Sequence, residues 1–508
     1  MAFMNELKET LNEELNMAIT ENFALGYRTT GKALLDINFA VASLRHVSDE
    51  EIVNRFTKAY FEDKPSALTW LFFARDVRGG LGERRLFRVI FNHFARNMDI
   101  PAVELMSLVN EYGRFDDLLC LIGSKYHTDF MALVKEQLDK DIKGMKASEG
   151  ISLLAKWLPS INATNGTARK NARSIATELR MSWSEYRKTL SKLREYLDVV
   201  ERKMSANQWG GIRYDAVPSR ANLIYNGAFL RHDEERRRAF LESLKKGETK
   251  INAAVLYPHE IVDAYADNQG MRYPQKIGKY NETLEQLWKA LPNVSELENT
   301  IVVADGSGSM TNPIGGSYCA ALSVANALAI YFAEHCKGEF HNKYITFSER
   351  PQLVDLANGK SLHEKLQIAL THNEIANTNI HAVFSLILKT AVSKRMAQEE
   401  LPKNIVIISD MEFDRGTSGA DERLFVEITK KYEQRGYKLP RLVFWNVNSR
   451  TGTIPVKENE LGVALVSGFS ISIAKMVMSL NLDPYQCLLE VLNSERYAPV
   501  REIVNKIA

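Results

Sequence analysis

The sequence predicts an α + α/β chain: an N-terminal all-α helical-repeat domain over residues 1–285 and a C-terminal doubly wound, Rossmann-like domain over residues 298–508. Three observations carry this expectation. Apolar residues recur at helical spacing throughout the N-terminal half. Short β-branched runs become the rule only after Pro292. Helical segments separate most of those runs, which is the alternation of a parallel α/β sheet. At 508 residues the chain also exceeds one ordinary core.

The helical stretches come first. Ser66–Ala74, Leu86–Phe94, Val103–Val109, Leu118–Ile122, Phe130–Leu138 and Leu190–Val200 each place apolar side chains along one face. Short Gly, Pro or Asn punctuation divides them. One helical hairpin cannot bury its own apolar face, so stacked hairpins predict a solenoid. No strict sequence repeat accompanies the pattern. The boundary is expected between about 285 and 298, around Leu291-Pro292-Asn293. Thr300–Asp305 then reads as a buried parallel strand, followed by a Gly/Ser loop and a long apolar helix from about Tyr318 to Cys336. Tyr344–Phe347, Ile405–Asp410, Leu442–Trp445 and Val463–Val466 repeat the strand pattern.

Composition excludes several classes. The chain is 45% hydrophobic and 25% charged, with a formal net charge of +2, so no global field points to nucleic acid or membrane. Its start lacks the basic-then-apolar order of a signal peptide. No stretch is apolar for the roughly 18 residues a membrane span needs. The four cysteines form no C-x-x-C pair, which argues against a zinc site and a disulfide framework. A reducing, cytoplasmic location and no membrane partner are therefore expected.

Two of the β-type runs end in Asp, at Asp305 and Asp410. Ligands of open parallel sheets bind at the carboxyl ends of strands, near the switch point. Ser307 and Ser309 follow Asp305 with glycines at 306 and 308, which would let both hydroxyls face one point. A hard cation such as Mg²⁺ takes oxygen ligands of this kind. Simple helix capping by the Gly/Ser loop would also explain these residues, but not Asp410 or the later Thr378. No P-loop, nucleophile elbow or H-E-x-x-H motif is present, so no catalytic constellation is expected.

The set Asp305, Ser307, Ser309, Thr378 and Asp410 resembles the metal-ion-dependent adhesion site of von Willebrand A domains. That resemblance implies one Mg²⁺ or Mn²⁺ per chain, with an open position for a partner's carboxylate. Further motifs extend the likeness: Arg75-Asp76-Val77-Arg78-Gly79-Gly80-Leu81-Gly82-Glu83-Arg84, Tyr112–Leu118, Lys156-Trp157-Leu158-Pro159, Val217–Ala221, Ser409–Asp414 and Leu465–Ser470. Together they resemble the TROVE–von Willebrand A architecture of Ro proteins, and more closely a TROVE-like family of phages, bacteria and plants. The resemblance implies HEAT-like helical repeats that bind small structured or single-stranded RNA.

The residues add their own support. From Ile151 to Arg220 there are 13 Lys and Arg against 6 Asp and Glu. Lys170, Arg173, Arg180, Arg187 and Lys188 fall here, interleaved with Trp157, Trp183, Tyr186, Tyr196 and Trp209. Basic groups bind phosphates and aromatic rings stack on bases; a packed core under a solvated helix face would read the same way. Arg75, Arg78, Arg84, Arg85 and Arg88 form a second cluster, where Gly79-Gly80 would let backbone N–H groups approach a phosphate. The sequence thus favours a non-catalytic RNA-binding scaffold whose metal site recruits a partner. The alternative is a metal-dependent protein–protein interaction module without RNA. A metal-dependent nuclease is the weakest reading, because such sites cluster carboxylates around two metals.

Overall fold

The computed structural model describes residues 4, 7, 10, 11, 15–21, 25–266, 276–293, 297–315, 319–413, 424–455, 463–470 and 483–507. Tyr318, expected to begin a helix, and Asp414, the last residue of one family motif, lie outside the described residues. The chain divides into two compact units, each discontinuous in sequence. One comprises Asp63–Val255 and Ser494–Ala508, the other Met1–Glu62 and Leu256–Asn493.

The first unit is helical. Its opening helix, Lys64–Arg75, starts where Asp63 accepts a hydrogen bond from the Ser66 amide at 3.1 Å and Pro65 occupies the first turn. Helices Arg84–Asn97, Ala102–Tyr112 and His127–Ala147 follow, as the apolar spacing predicts. Leu118–Ile122 departs from expectation: Phe115–Leu121 is a 3₁₀ helix, because Asp117 turns back to accept from the Arg114 amide at 2.9 Å. Helix Trp183–Tyr196 begins in a reciprocal capping box between Ser182 and Glu185. It stops at Tyr196, so the predicted run to Val200 is interrupted before helix Val200–Ser205. Val217 and Ala221 of one family motif lie in a small apolar core with Val200, Ile212, Tyr214 and Phe229. The C-terminal helix Ala498–Val504 packs on Lys64–Arg75 and Ala102–Tyr112. Arg496 and Tyr497 lock it there through Asp76.

The second unit holds a six-stranded, mostly parallel sheet: β3 (Thr300–Asp305), β4 (Lys343–Phe347), β5 (Gln352–Asp355), β6 (Asn404–Ser409), β7 (Arg441–Asn446) and β8 (Val463–Ser467), in the order β5-β4-β3-β6-β7-β8. Only the β4–β5 pair is antiparallel. β5 is absent from the sequence expectation because it is a short edge strand with one buried side chain, Val354. Strands β3, β6, β7 and β8 are almost wholly buried, which explains their unbroken apolar runs. Helix Ala321–His335, buried from Ala321 to Ala333, packs across β3, β4 and β6.

The expected division at 285–298 is not where the contacts divide. Residues 1–62 belong with the sheet, and so does 256–297. The N-terminal segment is not wholly helical either: β1 (Met17–Ile19) and β2 (Leu25–Tyr27) form an antiparallel pair. The cause is long-range pairing. Tyr27 and Ile454 exchange backbone hydrogen bonds at 2.8 and 2.9 Å. Asn446 at the end of β7 donates to the Phe39 carbonyl, and Ser467 at the end of β8 accepts from the Ala42 amide. Helix Ala33–Phe39 itself packs on β8.

Candidate metal centre and basic surface

The strand order reverses at β3, since β4 lies on one side of it and β6 on the other. A crevice opens at such a switch point, at the carboxyl ends of the strands. Asp305 is the last residue of β3, and Asp410 follows the last residue of β6.

Two backbone contacts shape the loop after β3. The Gly306 amide donates to the Phe347 carbonyl at 2.8 Å, and the Gly308 amide to the Ala376 carbonyl at 3.0 Å. The second contact brings in the segment carrying Thr378, while Ser348 fixes that segment through the Ala376 amide at 2.9 Å. Gly306 is closely packed: a Cβ there would stand 3.0 Å from Thr346 Oγ1, which would have to shift by a few tenths of an ångström. Neither Gly306 nor Gly308 has a positive φ, so left-handed freedom is not the reason for them.

The side chains converge. Asp305 Oδ1 accepts from the Ser307 amide at 2.9 Å, and Asp305 Oδ2 from the Ser409 hydroxyl at 2.6 Å. Ser307 and Ser309 hydroxyls lie 3.0 Å apart. Asp305, Ser307, Thr378 and Asp410 are at most 1% exposed, whereas Ser309 is half-buried. Asp410 Oδ1 accepts a long bond from the Glu412 amide, 3.3 Å, and the Ser309 hydroxyl also bonds the carboxyl. Asp410 Oδ2 is buried with no hydrogen bond, its cationic neighbour being Arg450 Nη2 at 3.6 Å. Burial, then the charge of Asp305, push the Asp410 carboxyl up to about 8, against the pull of Arg450. Met411, next in sequence, is held at φ 65°, a left-handed conformation that costs a side-chain-bearing residue on the order of 1 kcal/mol. Its amide is tied to the Ser409 hydroxyl at 2.9 Å.

Of the five residues expected in a metal site, Asp305, Ser307, Ser309 and Asp410 thus come from the carboxyl ends of β3 and β6 and the loops that follow, while Thr378 lies on the segment between helices Leu362–Thr371 and Ile380–Lys394, which reaches the β3 loop through the Gly308–Ala376 contact. Among the described residues no group of three or more His, Cys, Asp or Glu side chains could hold a metal. The donor set here is two carboxylates with hydroxyls, which suits a hard cation. The orphaned Asp410 oxygen is the observation that makes the set fit one.

Sequence reasoning missed three neighbours. Ser409 orients Asp305. Glu412, fully buried, accepts from the amides of Glu21, Arg450 and Thr451 at 2.9 to 3.0 Å, stitching the loop after β7 and the N-terminal segment to β6. Arg450 bridges Asp410 and Glu21, the latter at 2.5 Å. A buried Glu two residues beyond a strand-terminal Asp is a local signal; its partners, far away in sequence, are not.

In the helical unit Lys170, Arg173, Arg180, Arg187 and Lys188 are all exposed, and none forms an ion pair among the described residues. Arg173 lies over the half-exposed Trp183 ring at 4.5 Å. Tyr186 is core, its hydroxyl bonded to the Pro159 carbonyl at 3.0 Å, so it is not a stacking platform. Arg75 is likewise not available to a phosphate: it is 4% exposed and its Nε is 2.7 Å from Asp117. Arg78 and Arg84 are exposed. The Gly79-Gly80 pair serves packing, since a Cβ at Gly80 would collide with the Phe73 carbonyl, and the Gly80 amide is spent on the Asp76 carbonyl. Among the described residues no helix is long and apolar enough to cross a membrane.

Residues 125–300 match a domain of unknown function (DUF2828), and residues 299–492 a second domain of unknown function (DUF7788). The two matches meet at the start of β3. The chain is also similar to an uncharacterized protein, L728, of Acanthamoeba polyphaga mimivirus. The two are 30% identical over 528 residues, covering 96% of this chain and 89% of the relative.

Proposed function

We propose, for a chain that belongs to one family with the mimiviral protein L728, the role of a non-catalytic, cytoplasmic RNA-binding scaffold. The helical unit, TROVE-like with HEAT-like repeats, holds small structured or single-stranded RNA. The sheet unit, von Willebrand A-like, carries one divalent-cation site that recruits a protein partner. The observation that carries the reading is the basic stretch Lys170, Arg173, Arg180, Arg187 and Lys188, all exposed and none in an ion pair among the described residues, Glu185 being the carboxylate whose charge Lys188 feels. Cations left unpaired on a surface attract a polyanion and release its counterions.

Asp305, Ser307, Ser309, Thr378 and Asp410 would hold Mg²⁺ or Mn²⁺, one ion per chain. Bound there, the cation would offer an open position to a partner's carboxylate. The chain's own contribution is orientation. Ser409 turns Asp305 into the crevice, and Glu412 holds the loop beside Asp410. The half-buried Ser309 leaves the opening.

Two titrations test the proposal. Single-stranded RNA binding should weaken with salt, by about −0.7 in log–log slope per phosphate contact. Replacing Lys170, Arg173 and Arg180 together should weaken binding and flatten that slope; an unchanged slope would move RNA off this face. Calorimetry should find one Mg²⁺ site that Asp305→Ala abolishes. Equal Mg²⁺ affinity in wild type and variant would end the metal reading.

A further inference from the structure

A group of arginines lies around the 3₁₀ helix Phe115–Leu121, apart from the basic face just described. Asp117 and Asp116 sit at its centre, and both carboxylates are consumed. Asp117 takes Arg75 Nε at 2.7 Å and Arg88 Nε at 2.6 Å. Asp116 is clamped by Arg114 through Nε at 2.8 Å and Nη2 at 2.6 Å, with Arg88 Nη2 also 2.8 Å away. Arg84 stands one turn before Arg88 on the same helix, at the i, i+4 spacing that puts two side chains on one face. It is exposed and makes no ion pair among the described residues. The cluster therefore holds four guanidiniums against two carboxylates, a surplus of two positive charges.

We propose that Arg84, Arg88 and Arg114 form a site for a phosphate dianion, the terminal phosphate of an RNA strand. Two surplus charges match a phosphomonoester, which carries nearly −2 at neutral pH, better than an internal phosphodiester, which carries −1. Guanidiniums present forked donors suited to phosphate oxygens. Arg88 is already held in place by Asp117 and Arg114 by Asp116, and 34% and 20% of their side chains are exposed, Arg88 Nη2 itself being buried. Desolvation first, and then the charges of Arg114, Arg75 and Arg88, pull the Arg84 guanidinium down to about 10, with Asp116 opposing. A bound anion would offset those charges. The nucleotide is favoured over a phosphopeptide by what lies beside the cluster. The Arg114 guanidinium is stacked 3.8 Å over the Trp157 ring, with Lys156 Nζ 5.4 Å from the same ring. Bases stack on such guanidinium and aromatic planes.

This inference rests on the RNA reading above, and the experiment separates the two. Short oligouridylates with a 5′-phosphate, a 3′-phosphate or hydroxyls at both ends would be titrated into the full chain and into Arg84→Gln. Arg84 has no ion pair to lose, so the variant should fold, which its melting temperature checks. One phosphorylated strand should bind wild type about tenfold more tightly than the hydroxyl strand, the scale of one charge-assisted contact. Arg84→Gln should erase that preference, lowering the affinity of the phosphorylated strand more than that of the hydroxyl strand. The preference should also shrink below about pH 6, where the phosphomonoester takes up a proton. Equal affinity of all three strands for wild type would overturn the site while sparing the RNA reading. Failure of every strand to bind would overturn both. A phosphoserine peptide that binds through Arg84 when phosphorylated strands do not would replace the nucleotide as ligand and overturn the assignment.

Discussion

Asp410 carries a cost that Arg450 and Ser309 relieve only in part. Its Oδ2 is buried without a hydrogen bond, beside Asp305 and next to a left-handed Met411. Burying a carboxylate in that state is unfavourable unless a cation arrives. Asp410→Asn should therefore keep or raise the melting temperature of chelated protein. Added Mg²⁺ should then stabilise wild type alone, by mass action on the folded state. Equal Mg²⁺ stabilisation of both proteins in thermal melts would contradict this. Arg75 presents the opposite case. It is a buried partner of a buried carboxylate, so Arg75→Met should leave Asp117 undercompensated and cost about 3 kcal/mol in urea unfolding. A loss below about 1 kcal/mol would show that Arg88 and the Arg114 amide suffice for Asp117.

Among the elements, helices Ile380–Lys394 and Leu424–Glu433 meet through a contact that should make their packing pH-dependent. His381 Nε2 lies 2.7 Å from Lys431 Nζ, with Tyr432 bonding the Phe384 carbonyl nearby at 3.0 Å. Partial burial, then the Lys431 charge, hold the imidazole below its ordinary 6.5, with Glu427 opposing. In that window the unfolded chain binds more protons than the folded one. The stabilisation is therefore fully present above about pH 6.5 and is lost as pH falls through the folded value. Wild type should lose more melting temperature than His381→Gln between pH 7.5 and 5.5, as calorimetric scans would report. Parallel curves would exclude His381 as the responsive group. The same principle of partner-dependence explains β1 and β2. Neither three-residue strand would persist alone; β1 is held by β2, and β2 by Ile454, far away in sequence.

At the scale of the whole molecule, the sheet unit depends on residues 1–62. Tyr27 extends a backbone pair to Ile454, Phe39 and Ala42 engage β7 and β8, and the His46 imidazole lies 3.0 Å from Asn448 Oδ1. A fragment beginning at residue 298 should expose the buried apolar side chains of helix Ala33–Phe39's docking surface on β8 and aggregate. A chain in which a flexible linker replaces residues 63–255 should remain soluble and melt cooperatively. The reverse ranking of the two by sedimentation and thermal melting would show that the sheet is self-sufficient.

Local chemistry was enough to determine much of this protein. Apolar spacing located several of the long helices but not Asp49–Glu62, Gly166–Glu178, Glu234–Lys245 or Ile380–Lys394, unbroken β-branched runs located five of the six sheet strands, and strand-terminal Asp residues marked the ends of β3 and β6. These features are legible because each depends on neighbours within a few turns of chain or on the burial of one run. Tertiary structure alone decided the rest: that residues 1–62 join the sheet, that the last helix returns to the helical unit, and that Glu412 and Arg450 stand beside Asp410. It also separated Arg75, sealed against Asp117, from Arg84, left exposed one helix later. Both are arginines in one basic stretch of sequence, and what distinguishes them is which carboxylate folding brings within reach, a pairing between residues far apart that no local pattern encodes.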